Sequence, residues 1–293
     1  MACGLLNVNK LSGLTSRRVV DRVQRLVRPA KAGHAGTLDP LATGVLLVGV
    51  GAATRLLGYV QQLPKAYVGR FLLGCSSPTD DVEGPLTPVA DAVIPSRDEI
   101  QHAVQLLTGQ ILQQPPAYSA IKVQGRRAYD LARRQQPVNL PERPVTVYAM
   151  EILSYEYPEL TLAVRCSAGT YVRALGRDLA RSLSTAAVMA ALVRTAIGEF
   201  RLDQAVEFDH LTDENWAAHL APPLCAVPGL PQVCLSDGDL AQIRHGRTIA
   251  VPPSLAVADG IEVAAIAPDG RLVAILTPRA AGRLGPTCNL TSD

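Results

Sequence analysis

Apolar residues run without interruption through positions 45–50, V-L-L-V-G-V, after a polar, glycine-rich stretch at positions 33–44. The apolar run predicts a buried strand, and the stretch before it predicts a loop that leads into that strand. Asp39 lies in this loop, and the following Pro40 favours an extended backbone at Asp39. A loop fixed by a buried strand is a common place for reactive side chains, whereas an Asp-Pro pair alone is typical of a turn. Local chemistry alone favours the turn over a catalytic role for Asp39.

A helix is predicted upstream of the loop, because apolar residues recur at helical spacing between positions 19 and 27. Thr15 or Ser16 fits its N-cap, and Pro29 predicts its end. The opposite face of this helix is basic and carries Arg17, Arg18, Arg22, Arg25 and Arg28. Such a face is most often solvated, and the sharper alternative is a surface that follows RNA phosphates.

The other segments of residues 1–228 alternate between strand and helix patterns. Strands are predicted at residues 4–9, 65–74, 114–124, 145–155, 160–167 and 188–200. Helices are predicted at residues 54–59, 97–107 after a capping box of Ser96 and Glu99, 125–136, and from residue 171 after Thr170 as N-cap. The Asp80, Asp81 and Glu83 cluster lacks the spacing of a calcium loop, so we interpret it as a solvated turn.

A second, smaller module is predicted after the prolines at positions 222, 223 and 228. Ser236 fits the N-cap of a short helix, and Pro-Asp-Gly at positions 268–270 separates two apolar runs, which predicts a hairpin. We therefore expect two domains, residues 1–228 and 229–293. The fold class that these patterns predict is α+β, with a mixed, largely antiparallel sheet flanked by helices and a small β-rich C-terminal domain.

Composition narrows the classes of function. The 293 residues are 48% hydrophobic, and no apolar run approaches the roughly 18 residues of a membrane span. The N-terminus lacks the pattern of a signal peptide, so we expect a cytoplasmic protein. The six cysteines are scattered without a C-x-x-C pair, which favours reduced thiols over zinc or disulfides. The net charge of +2 does not by itself indicate a nucleic-acid partner.

The kind of cation is more informative than the net charge. Only four of the 28 cations are lysine, and the rest are arginine, whose planar fork fits phosphate oxygens. A genome rich in G and C would produce the same bias, and we give both explanations equal weight.

The order of residues in the loop, G-H-A-G-T-L-D-P-L-A-T-G-V-L at positions 33–46, resembles the signature loop of the TruB family of tRNA pseudouridine synthases. Further similar motifs are K-A-Y at positions 65–67, Q-P-P-A-Y-S-A at 114–120 and C-S-A-G-T-Y-V-R at 166–173. The resemblance implies the pseudouridine synthase fold with a C-terminal PUA-like RNA-binding domain. It implies isomerisation of uridine 55 in the T arm of tRNA, with no cofactor and no metal. We expect a monomer whose partner is tRNA and which does not bind membranes.

The same resemblance implies roles for individual residues. The catalytic residues are Asp39, Tyr67 and Arg173, with Asp39 as the nucleophile and Arg173 as its cationic partner. His34 is expected to occupy the space left by a flipped uridine. The substrate-binding residues are Lys10, His34, Tyr171, Leu192 and Arg194.

An insertion at about residues 122–143 is expected to fold over the RNA. Its RNA-binding residues are Arg126, Arg127, Arg133 and Arg134. Two other classes of function stay open: an RNA chaperone that docks and refolds tRNA, and a guide-dependent synthase in a ribonucleoprotein. The set Asp39, Tyr67 and Arg173 argues against pure binding, and the basic insertion favours direct capture of the RNA.

Overall fold

The computed structural model describes residues 2–119, 121–123, 125–134, 136, 139–252, 255, 260–280 and 282–291. The strands are β1 (Gly4–Lys10), β2 (Ala32–His34), β3 (Thr43–Val50), β4 (Lys65–Leu73), β5 (Cys75–Ser76), β6 (Thr87–Pro88), β7 (Gly109–Gln113), β8 (Lys122–Val123), β9 (Arg126–Arg127), β10 (Arg143–Glu156), β11 (Glu159–Cys166), β12 (Ala187–Ile197), β13 (Phe200–Arg201), β14 (Val206–Glu207), β15 (Leu220–Ala221), β16 (Gln232–Cys234), β17 (Ile249–Ala250), β18 (Val263–Ile266), β19 (Leu272–Arg279) and β20 (Arg283–Asn289).

The α-helices are α1 (Ser16–Leu26), α2 (Leu57–Gln62), α3 (Arg97–Leu106), α4 (Ala128–Arg133), α5 (Val172–Ser182) and α6 (Asp237–Arg244). Short 3-10 helices lie at Gly51–Leu56, Leu202–Gln204, Phe208–His210, Trp216–His219 and Pro223–Ala226. Every helix in the described part of the chain is too short or too polar to cross a membrane.

The chain packs as two compact units. The first unit contains Met1–Asp39, Val45–Gln62 and Asp203–Asp293, and the second contains Pro40–Gly44 and Leu63–Leu202. The C-terminal module therefore shares a unit with the N-terminal segment, and the domain boundary at residue 228 stays a prediction.

In the first unit, α1 covers a small sheet in which β1 lies between β14 and β3. Strand β1 pairs with β14 in parallel and with β15 in antiparallel orientation, and β2 pairs with β3 in antiparallel orientation. The core of this part is built from the apolar face of α1, with Val19, Val20 and Val23 packed against residues of β1 and β3. This is the helix and the buried strand that the apolar spacing predicts. Thr15 is the N-cap of α1, since its hydroxyl accepts from the amide of Arg18.

The C-terminal module has its own five-stranded sheet, in the order β16-β18-β19-β20-β17, and its own apolar core. Ser236 caps α6 in a complete capping box with Asp239, as its sequence position predicts. The Pro-Asp-Gly turn joins β18 to β19, with Gly270 in the left-handed region at φ +83°. The predicted hairpin and the β-rich character of this module are therefore confirmed.

The second unit is built on an antiparallel sheet in the order β12-β4-β11-β10-β7. Helix α5 lies against β4, where a Cβ at Gly176 would overlap the Phe71 ring and a Cβ at Gly69 would touch Val172. The two glycines allow helix and strand to approach closely. A mixed, largely antiparallel sheet with helices on it is the predicted fold class, and the structure confirms it.

Two local predictions hold only in part, and a third is wrong. Of the strand predicted at residues 114–124, Lys122 and Val123 form β8, residues 114–119 form no regular secondary structure, and Ala120 and Gln124 lie outside the described residues. The helix predicted at residues 125–136 is limited to α4 and is preceded by β9. Thr170 does not cap α5, because its hydroxyl bonds to the carbonyl of Ser167 and Tyr171 occupies the N-cap. Hydroxyl side chains near helix starts compete for several backbone partners, and spacing alone does not decide between them.

Candidate active site

The segment that leads to Asp39 is fixed at two points by hydrogen bonds within the first unit. The Ser16 hydroxyl accepts from the amide of Leu38 at 2.9 Å and lies 3.2 Å from its carbonyl oxygen. The amide of Ala35 donates to the carbonyl of Leu47 at 2.9 Å. Ser16 and Leu38 are buried, and Asp39 follows them as a partly buried residue. The carboxylate is thus attached to a segment whose backbone is held in one position.

Two predicted substrate-binding residues precede Asp39 in the sequence. His34 is partly buried at the end of β2, opposite Val48 of β3. Lys10 is fully buried at the end of β1, and its ammonium group donates to the carbonyls of Leu11 and Leu14 at 3.0 and 2.7 Å. Lys10 therefore holds the turn that leads into α1, and its role toward the substrate stays a prediction.

The pairing with β12 explains the glycine in the T-G pair, Thr43 and Gly44, at the end of the signature loop. Thr43 and Gly44 pair in parallel with Val193 and Arg194 of β12. Gly44 has φ +101°, and a Cβ there would overlap the backbone of Arg194. Only glycine fits both the conformation and the close approach.

The sheet of the second unit brings three predicted site residues to one face. Tyr67 of β4 lies directly opposite Arg194 of β12, and Gly69 lies opposite Leu192. Residues two apart on a strand share a face, and directly paired residues share it too. Val172 of α5 approaches Gly69 on this face. Tyr67 is partly buried, whereas Leu192 and Arg194 are buried.

Arg173 is a buried cation whose guanidinium contacts oxygen atoms of two loops. Its guanidinium bonds to the carbonyl of Thr79 at 2.6 Å, a carboxylate oxygen of Asp81 at 3.1 Å and the carbonyl of Tyr118 at 3.1 Å. Its predicted pairing with Asp39 stays a prediction. A buried ion pair of this kind needs further hydrogen bonds on both partners, and the two carbonyl contacts supply them for Arg173.

Asp81 completes the pair, and the interpretation of its segment as a solvated turn is wrong. Asp81 is buried, and its carboxylate accepts from the Thr79 hydroxyl at 2.6 Å and from the amide of Glu83 at 3.1 Å. Sequence reasoning missed this residue because its partner, Arg173, lies on a helix more than 90 residues away. A signal was present in principle, since a buried arginine requires a carboxylate, but spacing does not say which one.

A second ion pair lies one helical turn further along α5. Arg177 contacts the carboxylates of Asp80 and Asp178 at 2.8 and 2.9 Å and donates to the carbonyl of Gln114 at 2.8 Å. Burial raises the pKa of Asp80, and the positive charge of Arg177 opposes that rise. The two arginines therefore attach both halves of the Asp80-Asp81 turn to α5.

Tyr171 stands at the N-cap of α5 and is held by two residues of the neighbouring strands. Gln113 makes two hydrogen bonds to its backbone, and the Arg143 guanidinium lies 5.1 Å from the centre of its ring. Neither contact was predicted from the sequence, because both join residues that are distant in the chain.

Lys65, on the strand that carries Tyr67, is also a buried cation. Its ammonium group donates to the carbonyl of Leu63 at 2.7 Å, and it is 7% exposed. Burial, with the nearby positive charge of Arg194, lowers the pKa of Lys65 to about 8. Burial and the charge of Arg194 thus both disfavour the protonated form of Lys65.

The arginines of the insertion are at the surface where the structure describes them. Arg126, Arg133 and Arg134 are exposed, and the Arg133 guanidinium lies 5.6 Å from the Tyr129 ring centre. The side chain of Arg127 lies outside the described residues. Exposed guanidinium groups beside an aromatic ring suit contacts to RNA phosphates and bases. Within the described residues, no group of three or more His, Cys, Asp or Glu is arranged to hold a metal ion.

Comparison with known proteins agrees with the resemblance of the signature loop. The family model described as TruB family pseudouridylate synthase (N terminal domain) matches residues 24–172. The chain is 42% identical over 288 residues to tRNA pseudouridine synthase B of Arthrobacter sp. (strain FB24), covering 94% of this chain and 93% of that protein. It is 40% identical over 287 residues to the protein of the same name from Thermobifida fusca (strain YX), covering 95% and 96%.

Solved structures show the same fold. A chain in the crystal structure of a Cbf5-Nop10-Gar1 complex matches with a TM-score of 0.73 and 27% identity, covering 95% of this chain and 79% of that chain. A chain of the archaeal box H/ACA sRNP Nop10-Cbf5 complex has a TM-score of 0.74 at 24% identity, which supports the fold alone. From the family model and these relatives together, the chain belongs to the TruB family of pseudouridylate synthases.

Proposed function

We propose that this protein isomerises uridine 55 in the T arm of tRNA to pseudouridine, with Asp39 as the nucleophile. The observation that carries the proposal is the identity of about 40% over nearly the whole chain to proteins named tRNA pseudouridine synthase B. The tRNA substrate follows from that name, and position 55 follows from the resemblance of the signature loop. Because its substrate is tRNA, we propose that the protein acts in the cytoplasm. We also propose that it acts as a monomer.

The reaction breaks the bond between N1 of uracil and C1′ of ribose, rotates the base and joins C5 to C1′. The proton on C5 is lost and N1 gains one, so the net change is an isomerisation. A carboxylate that attacks the ribose or the base divides this change into easier steps. Asp39 suits that role because the Ser16–Leu38 contacts fix the backbone from which its side chain extends.

Two further residues are assigned to the chemistry. Tyr67 is proposed to stack on the flipped uracil and to relay a proton, since its ring is only partly buried and its phenol can donate and accept. Arg173 is proposed to supply the positive charge that keeps a carboxylate ionised during the reaction. Its carbonyl and carboxylate partners hold the guanidinium in place, which suits a group that must act without reorganising.

Capture of the RNA is assigned to other parts of the chain. A uridine inside a folded RNA must be flipped out before any group can reach it, and we propose that His34 fills the vacated space. Leu192, Arg194, Tyr171 and Lys10 are proposed to contact the flipped nucleotide. The exposed insertion arginines are proposed to bind phosphates, and the C-terminal module to act as a PUA-like RNA-binding domain.

A guide-dependent synthase is the second candidate, because one of the similar solved structures is an archaeal box H/ACA sRNP complex. The identity to those chains is lower than the identity to tRNA pseudouridine synthase B, and the basic insertion offers a surface for direct capture. These observations favour action on tRNA without a guide.

The decisive experiment uses purified protein and an unmodified tRNA transcript, followed by mapping of pseudouridine at single-nucleotide resolution. A transcript with cytidine at position 55 is the matched control. The proposal expects one new pseudouridine, at position 55, without added guide RNA, cofactor or partner protein. Binding without modification would indicate a chaperone, and modification only with a guide RNA would indicate the ribonucleoprotein alternative.

A further inference from the structure

Gln113 is the last residue of β7 and is completely buried, although its side chain is an amide. Its Oε1 accepts from the amide of Tyr171 at 2.8 Å, and its Nε2 donates to the carbonyl of Tyr171 at 3.1 Å. One side chain thus bonds both polar backbone groups of one residue 58 positions away. Both bonds require the amide to have this orientation, since only the nitrogen donates and only the oxygen accepts.

Tyr171 is the residue at which α5 begins. Its carbonyl also accepts from the amide of Leu175 at 3.1 Å, which is the first turn of the helix. A residue at the N-cap usually bonds the free amides of the first turn through its side chain, and a tyrosine does not. No side chain of the N-cap does so here. Gln113 therefore fixes the start of α5 from outside the helix.

The strand partner of Gln113 holds the same tyrosine from another side. Arg143 of β10 lies directly opposite Gln113, and its guanidinium contacts the Tyr171 ring. Arg173 follows two residues later on α5, and its guanidinium reaches the carbonyl of Tyr118 in the segment that begins after Gln113. Gln113 is thus connected to Tyr171 directly and to Arg173 through the segment that follows Gln113.

We propose that Gln113 is a positioning residue for pseudouridine formation, which sets the placement of Tyr171 and, through the start of α5, of Arg173. The inference rests on the proposed function, in which Tyr171 and Arg173 act on the substrate. An apolar residue would fill a buried strand end without the desolvation of an amide, and that cost is offset only by the two bonds to Tyr171. The two bonds to Tyr171 therefore explain why this buried position carries a glutamine.

The test compares Gln113→Ala with Gln110→Ala, which removes the same type of side chain from an exposed position on the same strand. Rate constants for a single turnover at saturating tRNA, the dissociation constant for tRNA and the melting temperature are measured on each preparation. Gln113→Ala is expected to lower the rate constant about 10- to 100-fold, because small displacements of reacting groups have effects of this size. Its affinity for tRNA should stay near that of the wild type, and Gln110→Ala should match the wild type throughout.

Hydrogen exchange gives a readout that does not depend on activity. The amide of Tyr171 is bonded to Gln113, so it should exchange faster in Gln113→Ala and at the unchanged rate in Gln110→Ala. If the wild type forms no pseudouridine in tRNA, the proposed function fails, and the exchange rate still decides whether Gln113 fixes the start of α5.

Gln113→Glu adds a pH dependence that loss of packing would not produce. A protonated carboxyl group reproduces both bonds, with its O–H toward the Tyr171 carbonyl and its carbonyl toward the Tyr171 amide. The ionised form has no donor. Burial raises the pKa of such a carboxyl group, while the positive charges of Arg143, opposite it on β10, and of Arg177, which donates to the carbonyl of Gln114, lower it. The ratio of the Gln113→Glu rate to the wild-type rate should therefore fall as pH rises, while the Gln113→Ala ratio stays constant.

Three results would overturn the inference. One is a wild-type rate constant in Gln113→Ala together with an unchanged exchange rate at Tyr171. Another is a parallel loss of tRNA affinity, melting temperature and turnover, which would mean that Gln113 only supports the fold. The third is a Gln113→Glu ratio that does not change with pH.

Discussion

The guanidinium of Arg173 lies 3.1 Å from the carboxylate of Asp81, and the two side chains are 6% and 4% exposed. They join the first turn of α5 to a turn that precedes it by about 90 residues. An ion pair this deep is held by the surrounding hydrogen bonds as much as by its own attraction, because burying two charges is unfavourable. Removing one partner should therefore have a different effect from removing both.

Arg173→Met leaves the Asp81 carboxylate buried without its cation and should lower the free energy of unfolding by about 3–5 kcal/mol. Chemical denaturation measures the loss, and Arg181→Met on the exposed side of the same helix is the control. The double variant Arg173→Met/Asp81→Leu should regain most of the stability, since no unpaired charge remains. It should not regain turnover, because the positive charge is still absent. Equal stability of the single and double variants would contradict the importance of this pair.

The contact between α5 and β4 should tolerate no additional methyl group. Gly176→Ala places a Cβ within the Phe71 ring, which is itself buried, so we expect a loss of about 1–3 kcal/mol in unfolding free energy. Gly58→Ala is the matched control, because Gly58 lies in α2 and a Cβ added there would have open space around it. That substitution should be neutral or stabilise by about 0.4–1 kcal/mol. Similar effects of both changes would show that the approach of α5 to β4 is not close.

Lys65 should produce a rise in stability at alkaline pH. Its pKa is about 8 in the folded protein and about 10.4 in the unfolded chain, so between these values the unfolded chain binds more protons. Stability due to this residue should therefore increase as pH rises from about 8 to about 10.4. Other groups titrate in this window, so the measurement is the difference in unfolding free energy between the wild type and Lys65→Met. A difference that does not change with pH would contradict a lowered pKa.

The elements that the sequence predicts correctly have local signals. The apolar run of β3, the Ser96 capping box and the Pro-Asp-Gly hairpin are each complete within a few residues. The lateral contacts of the site are different, because they join residues far apart in the chain. The sequence pattern at Asp80 and Asp81 is that of a turn, and nothing within it shows that Arg173 and Arg177 lie nearby.

The difference between local signals and contacts between distant residues also explains which single side chains could be predicted. Two hydroxyl groups stand at the start of α1, and either fits the N-cap. Thr15 takes that role, and Ser16 bonds the backbone of Leu38 instead. Gln113 could not be predicted, because its partner becomes a neighbour only when β7 meets α5. Such side chains, rather than the elements, determine how the site residues are placed.

The exposed arginines of the insertion should contribute to RNA affinity through phosphates. Arg133→Gln/Arg134→Gln removes two of them, and the slope of log affinity against log salt should decrease by about one to two units. Arg97→Gln/Arg181→Gln removes the same charge from exposed positions of α3 and α5 and controls for the change in net charge. Filter binding at several salt concentrations gives both slopes. Equal slopes for the two double variants would indicate that this stretch is a solvated surface and does not bind RNA phosphates.

The last prediction separates an enzyme from a chaperone. Asp39→Asn keeps the shape and nearly the volume of the side chain but removes its negative charge and its nucleophilicity. Binding of tRNA should survive, because phosphate contacts and base stacking, worth about 1–3 kcal/mol per base, do not need the carboxylate. Pseudouridine formation should fall to background, since water offers no equivalent group aligned with the flipped nucleotide.

Both quantities are measured on one preparation, as tRNA affinity and as the yield of pseudouridine in a single turnover. Ser16→Ala is an informative companion, because it removes the hydroxyl that holds Leu38 and leaves Asp39 in place. It should reduce the rate without abolishing it, since the nucleophile is present but less well fixed. Substantial turnover by Asp39→Asn would remove Asp39 from the catalytic role. Loss of tRNA binding together with turnover would show instead that Asp39-Pro40 is a structural turn, as its local chemistry alone indicates.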